Sequence, residues 1–232
     1  MIRRAGDPAR RAVVEAAGLC DAELVAGGAL AALCFARTFR GPPDAFWRRM
    51  TETGAALGAF AWWRRPELRH LRVRPRHVVE GCAIAGALYL VFQAGDRVAR
   101  RVMPDGAGDI AAIYDLRRRH DPWWIAARLA TVIAPAEELF WRGWAQRSLS
   151  DRRGRWAGAA VASAAYAGVH LASGNPTLVG AAGVAGAYWS VLAAAGVDME
   201  SLVVSHLVWD IVIFLIAPTT APLGPGAGHR TA

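Results

Sequence analysis

Six ionisable side chains sit inside apolar sequence: Glu137, Glu138 and Arg142, then His170, then His206 and Asp210. Carboxylates and imidazoles move protons, and a guanidinium braces a carboxylate, so the set is equipped for acid–base chemistry and for holding developing charge. The first three lie in Ala134-Pro135-Ala136-Glu137-Glu138-Leu139-Phe140-Trp141-Arg142-Gly143-Trp144, whose other members are mostly aliphatic or aromatic. A charge at the middle of a bilayer costs roughly 2.5–3.5 kcal/mol, so residues kept there usually serve a site. Glu138 and Arg142 are four apart, acid before base, which places them on one helix face and predicts a bidentate ion pair. Glu137 points about 100° away around the helix. It has no local partner, and against another helix its desolvated carboxylate suits removal of a proton from water. His206 and Asp210 share a face of a later helix, and Tyr166 and His170 share a face of the helix between. Three helices are thus predicted to converge on one polar pocket. A lone histidine or Glu-Glu pair near a helix end is commonly a solvated or macrodipole feature, but here the groups recur together deep in apolar sequence.

The elements that must carry these groups read as membrane helices. A first span runs from about Val13 to Ala36, a short second from about Gly54 to Trp63, and a cleaner third from about Val78 to Ala94, preceded by the basic, proline-containing stretch Arg64 to Arg76. A long polar connection over 102–122 ends at Pro122, a residue placed to open a helix. The helix bearing Glu137, Glu138 and Arg142 is predicted from Trp123 to about Gln146, followed by a polar loop Arg147 to Arg155. Trp156 to Ala172 carries His170 and stops at Ser173-Gly174-Asn175-Pro176. Thr177 to Val197 follows, with Gly180, Gly183 and Gly186 suited to close helix packing, and Ser201 to about Ala217 is last, stopped by Pro218. The tail from Thr219 is rich in Pro and Gly and is expected to be disordered. The expected fold is all-α, a polytopic transmembrane bundle of about six to seven helices. Its parts are N-terminal membrane helices and basic loops over 1–121, a catalytic helical core over 122–218 and the tail over 219–232.

Composition agrees with a membrane protein. Of 232 residues, 54% are hydrophobic, above what a soluble domain of this size needs. Much of that is Ala and Gly, which let helix backbones approach closely in a membrane. The net charge of +8 comes from arginine alone, since the chain has no lysine. The arginines cluster beside the candidate spans, where anchoring to anionic headgroups explains them. No nucleic-acid partner is expected. The clusters fall on both sides of the candidate spans in comparable number, leaving orientation undecided. Cys20, Cys34 and Cys82 have no metal-ligand spacing. The start, Met1-Ile2-Arg3-Arg4-Ala5-Gly6-Asp7-Pro8, has no apolar segment directly after its basic residues, so no cleaved signal peptide is expected.

The three motifs, in order, resemble those of the CAAX-protease and bacteriocin-processing-enzyme family (CPBP, or Abi) of intramembrane endopeptidases. That family's pattern is Glu-Glu-x-x-x-Arg, Phe-x-x-x-His and His-x-x-x-Asn or Asp on successive membrane helices. Here they read Glu137-Glu138-Leu139-Phe140-Trp141-Arg142, Tyr166-Ala167-Gly168-Val169-His170 and His206-Leu207-Val208-Trp209-Asp210. The resemblance covers roughly Pro122 to Pro218. Tyr166 replaces the usual Phe and brings a hydroxyl that needs a partner when buried. Asp210 stands where the prenyl-protein proteases have Asn; an ionised carboxylate cannot donate to an oxyanion, so Asp210 is either protonated or orients His206. The resemblance implies hydrolysis of a peptide bond in a membrane-associated substrate: Glu137 with His170 would activate water, Glu138 and Arg142 would brace the site, and His206 and Asp210 would stabilise the oxyanion. It implies no required cofactor on the favoured reading, with a zinc-dependent form, held by Glu137, His170 and His206, as the alternative. The implied partners are membrane lipid and a peptide or protein substrate. The implied location is the cell membrane, and the Asp form with Arg- and Ala-rich usage points to a bacterial source. From a different class, a non-catalytic membrane scaffold or receptor for a hydrophobic peptide would keep the fold and need not keep Glu137 and both histidines.

Overall fold

Prolines and capping side chains set the helix boundaries. Asp121 Oδ1 accepts the N–H groups of Trp123 (2.9 Å) and Trp124 (3.1 Å), two donors otherwise left open at a helix start, while Pro122 at the first position has none to satisfy. Asn175 does the same for the helix after it, accepting from the N–H of Leu178 at 2.8 Å ahead of Pro176. The computed structural model describes residues 8–102, 112 and 115–218, with side chains from residue 21 onward and excluding 98–102. The expectations for the extreme N-terminus, most of the 102–122 connection and the tail fall outside the described residues.

Among the described residues there are seven helices and no strand. They are α1 (Pro8–Phe39), α2 (Phe46–Arg64), α3 (Pro75–Val102), α4 (122–153), α5 (Arg155–His170), α6 (Pro176–Ala195) and α7 (Met199–Ile216). The all-α bundle is as the sequence predicts. The first four helices are longer than predicted, α2 starting at Phe46 rather than about Gly54 and α3 running to Val102 rather than about Ala94, while α5, α6 and α7 end a residue or two earlier. At the end of α4 a predicted loop is replaced by helix. The predicted loop Arg147 to Arg155 is helical through Arg153, and the chain reverses at Gly154 alone. Gly154 has φ +81°, a conformation that costs a residue without Cβ little, and no longer loop is needed.

Helix α4 changes register twice. Residues Leu129–Ile133 and Leu139–Gln146 are π-helical, on either side of the α-helical Ala134–Glu138. The N–H of Ala134 reaches five residues back to the carbonyl of Leu129. Pro135, next in line, has no N–H to offer, so the ladder is already interrupted where the π-turn forms. Such turns recur at functional sites because they re-aim side chains without ending a helix.

Helices α1 and α2 form one hairpin, and α5 packs between the end of α4 and α6. Helix α2 lies along the middle of α4, with Gly58 close to Ala136, where an added Cβ would stand 3.0 Å from the Ala136 Cβ. Helix α3 covers α7. Two apolar clusters result, one around Phe35, Leu57, Phe140, Trp144 and Tyr166, the other around Leu88, Trp189, Leu202 and Trp209. The segments Asp21–Phe39, Pro75–Arg97, Pro176–Ala195 and Met199–Ile216 are long and apolar enough to cross a membrane. Val25, Leu33, Val79, Leu90 and Val191 lie exposed on them, as lipid-facing positions do. Trp62, Trp63, Trp123 and Trp156 are exposed near helix ends, where indoles sit at headgroup level.

Candidate active site

The six predicted residues come together between the two apolar clusters, each no more than 7% exposed. Glu137, Glu138 and Arg142 come from the middle of α4, His170 from the last residue of α5, and His206 and Asp210 from α7. Matching their depth looks difficult for ideal helices, because His170 ends its helix whereas Glu137 is far inside its own. Length resolves this. Helix α5 has 16 residues and α4 about twice as many, so the end of α5 stands beside the middle of α4.

The ion pair behind the site is monodentate, which corrects the expected bidentate geometry. Arg142 Nη1 donates to Glu138 Oε1 at 2.9 Å, while Nη2 donates to the backbone carbonyl of Gly186 at 3.0 Å. That carbonyl also takes the Ser163 hydroxyl at 3.4 Å, its two lone pairs serving donors from neighbouring helices. The guanidinium lies 5.0 Å from the centre of the Tyr166 ring and 5.4 Å from that of Trp189, so its charge is spread against two π faces. Glu138 Oε1 also lies 2.8 Å from His206 Nδ1. A carboxylate bridging the two requires a proton on Nδ1 and turns Nε2 toward Asp210, whose Oδ2 is 3.7 Å away, beyond hydrogen-bond reach. Glu138, rather than Asp210, therefore orients His206. Trp189 stacks on the imidazole, 4.1 Å between ring centres at 23°, and is itself fixed by donating to Ser205 Oγ at 3.0 Å.

Glu137 meets a partner on α5, not on its own helix. The Tyr166 hydroxyl donates to Glu137 Oε2 at 2.9 Å, satisfying the hydroxyl that the sequence leaves without a partner. His170 Nδ1 is 2.8 Å from the carbonyl of Tyr166; a carbonyl only accepts, so Nδ1 carries the proton and Nε2 keeps its lone pair. Phe35 and Phe39 of α1 enclose the ring at 5.1 and 5.5 Å.

These groups line a cavity of about 370 Å³, Glu137, Tyr166, His170, His206 and Asp210 among them. Thr38, Phe39, Phe46, Trp47 and Met50 at the α1–α2 turn, with Leu116, line it too, and no motif in the sequence announces them. Trp47 Nε1 donates to the Leu116 carbonyl at 3.0 Å. Trp189 is equally silent in the sequence, being one aromatic residue in an Ala-rich helix, whereas Gly186 is marked there for close helix packing but not as the acceptor for Arg142. Among the described residues, no three His, Cys, Asp or Glu side chains stand together as metal ligands. The candidate zinc set Glu137, His170 and His206 does not form such a group.

The arrangement combines a carboxylate and an imidazole with free lone pairs, a second imidazole held by Glu138 with Asp210 nearby, and a largely apolar remainder of the cavity lining. Residues 119–212 match the sequence model of the family described as Rce1-like, type II CAAX prenyl endopeptidase. No curated protein and no solved structure matches the chain. The matched segment contains all six residues, and the match, with the motifs that resemble those of CAAX proteases, supports a membrane-associated endopeptidase at the level of the family.

Proposed function

We propose that this chain, whose residues 119–212 carry the CAAX-endopeptidase sequence, is a multi-pass bacterial membrane protein. It hydrolyses a peptide bond of a membrane-associated peptide or protein. The observation that carries the reading is the shared cavity: Glu137, His170, His206 and Asp210 all line it, from three helices. Water held between Glu137 Oε1 and His170 Nε2 loses a proton to Glu137. Its oxygen bonds to the scissile carbonyl carbon, and the carbonyl π pair moves onto oxygen. His206, protonated on both nitrogens between Glu138 and Asp210, donates through Nε2 to that oxyanion. Glu137 then passes its proton to the leaving nitrogen as the C–N bond breaks. Each donor is held before reaction by packing or by a hydrogen bond, and among side chains this deeply buried such fixed dipoles act with little screening.

The alternative of a non-catalytic scaffold draws support from no feature of the cavity. A pool of acyl-anchored, internally quenched peptides presented to the purified protein in phosphatidylglycerol-containing vesicles separates the two. Turnover that falls about 10²–10⁴-fold in Glu137→Gln supports the protease, and activity unchanged by 1,10-phenanthroline supports water activation without zinc. Binding of peptides with no turnover in the wild type would favour the scaffold.

A further inference from the structure

Tyr166 stands between the two groups that the proposed mechanism assigns to water activation, and it touches both by different means. Its hydroxyl donates to Glu137 Oε2 at 2.9 Å, and its backbone carbonyl takes His170 Nδ1–H at 2.8 Å. Among the described residues the hydroxyl bond is the only side-chain bond that the Glu137 carboxylate makes, so Oε1 is left to the cavity that Glu137 lines. The ring itself cannot wander. Trp141 meets it edge-on at 5.3 Å and His170 at 4.9 Å. Behind it α6 passes at Gly186, where an added Cβ would lie 2.7 Å from Tyr166 Cδ1. Any residue at 166 supplies the carbonyl, but the hydroxyl is particular to tyrosine.

We infer that Tyr166 is a positioning residue: its hydroxyl holds Oε2 of Glu137 so that Oε1 faces the water to be activated, while its carbonyl fixes the tautomer of His170. The inference rests on the protease reading above. A carboxylate that has lost its one fixed bond rotates about its terminal torsion, and a displacement of about 1 Å at a reacting atom costs about 10²-fold in rate. The lining residues of the α1–α2 turn make no bond to the hydroxyl, so the effect is expected in kcat rather than in KM.

Tyr166→Phe removes the hydroxyl and keeps the ring. With the same anchored peptide pool, kcat is expected to fall about 10²-fold with KM unchanged. In a Glu137→Asp background, where the shortened carboxylate no longer reaches the hydroxyl, the same substitution is expected to cost little, since residues acting as one unit are not additive. Should the phenylalanine variant not remain monodisperse in detergent, 3-fluorotyrosine at 166 tests the same point, because kcat then follows the donor strength of the hydroxyl. A kcat unchanged by loss of the hydroxyl or by the change in its donor strength, a rise in KM instead, or an equal loss in both backgrounds would overturn the inference. A wild type that turns over no peptide, or whose turnover survives Glu137→Gln, would instead remove the protease reading on which it stands.

Discussion

Glu138 Oε1 accepts from both Arg142 and His206, and Glu138 is fully buried. Removing one partner of a buried pair leaves a charge without compensation, at about 3–5 kcal/mol. Arg142→Met should therefore lower the denaturation temperature sharply in a detergent melt. Glu137→Gln should leave that temperature nearly unchanged, because the amide oxygen still accepts the Tyr166 hydroxyl, while abolishing turnover. The contrast separates a bracing residue from a reacting one. The spacing of four made the Glu138–Arg142 contact legible in the sequence. It could not reveal that the second amino group of Arg142 goes to Gly186, because that carbonyl is supplied by another helix. Nor could it reveal Tyr166 as the partner of Glu137, since the pairing depends on how far α5 reaches along α4.

Helix α6 contributes no ionisable group to the site, yet it limits where Tyr166 and Arg142 sit. Gly186→Ala would place a methyl group 2.7 Å from the Tyr166 ring, a separation that forces the ring to move. Turnover is expected to drop by at least about tenfold, with helix content by circular dichroism retained. Helix α1 acts similarly through Phe35, fully buried against His170. Phe35→Ala should cost about 3–5 kcal/mol as a large-to-small change in the core, read in the same melt. Helix starts at Pro122 and Pro176 were legible because proline and its preceding Asp or Asn act locally. The π-turns of α4 were not, apart from the hint of Pro135, since the hydrogen-bond register is settled by packing against α2 and α7.

Seen as a whole, the chain places the groups proposed for catalysis in the segment that matches a family model, and much of the rest of the cavity lining before it, at the α1–α2 turn. The lipid-facing surface makes a separate prediction. Cys82 is exposed on α3 within the apolar segment Pro75–Arg97. In a variant without Cys20 and Cys34 it should resist a membrane-impermeant maleimide from either side of sealed vesicles and react after detergent is added. Labelling in sealed vesicles would place α3 outside the bilayer. The bundle was legible from hydrophobic runs, whereas the cavity wall was not, because Phe39, Phe46 and Trp47 carry no motif and look like ordinary core. The most direct measurement of the central claim compares peptide termini in cells expressing wild type and Glu137→Gln at equal protein level. Termini present with the wild type and lost with the variant are the predicted result and would identify the substrate. Identical termini in both, with the wild type folded in the membrane, would contradict a glutamate-dependent intramembrane protease.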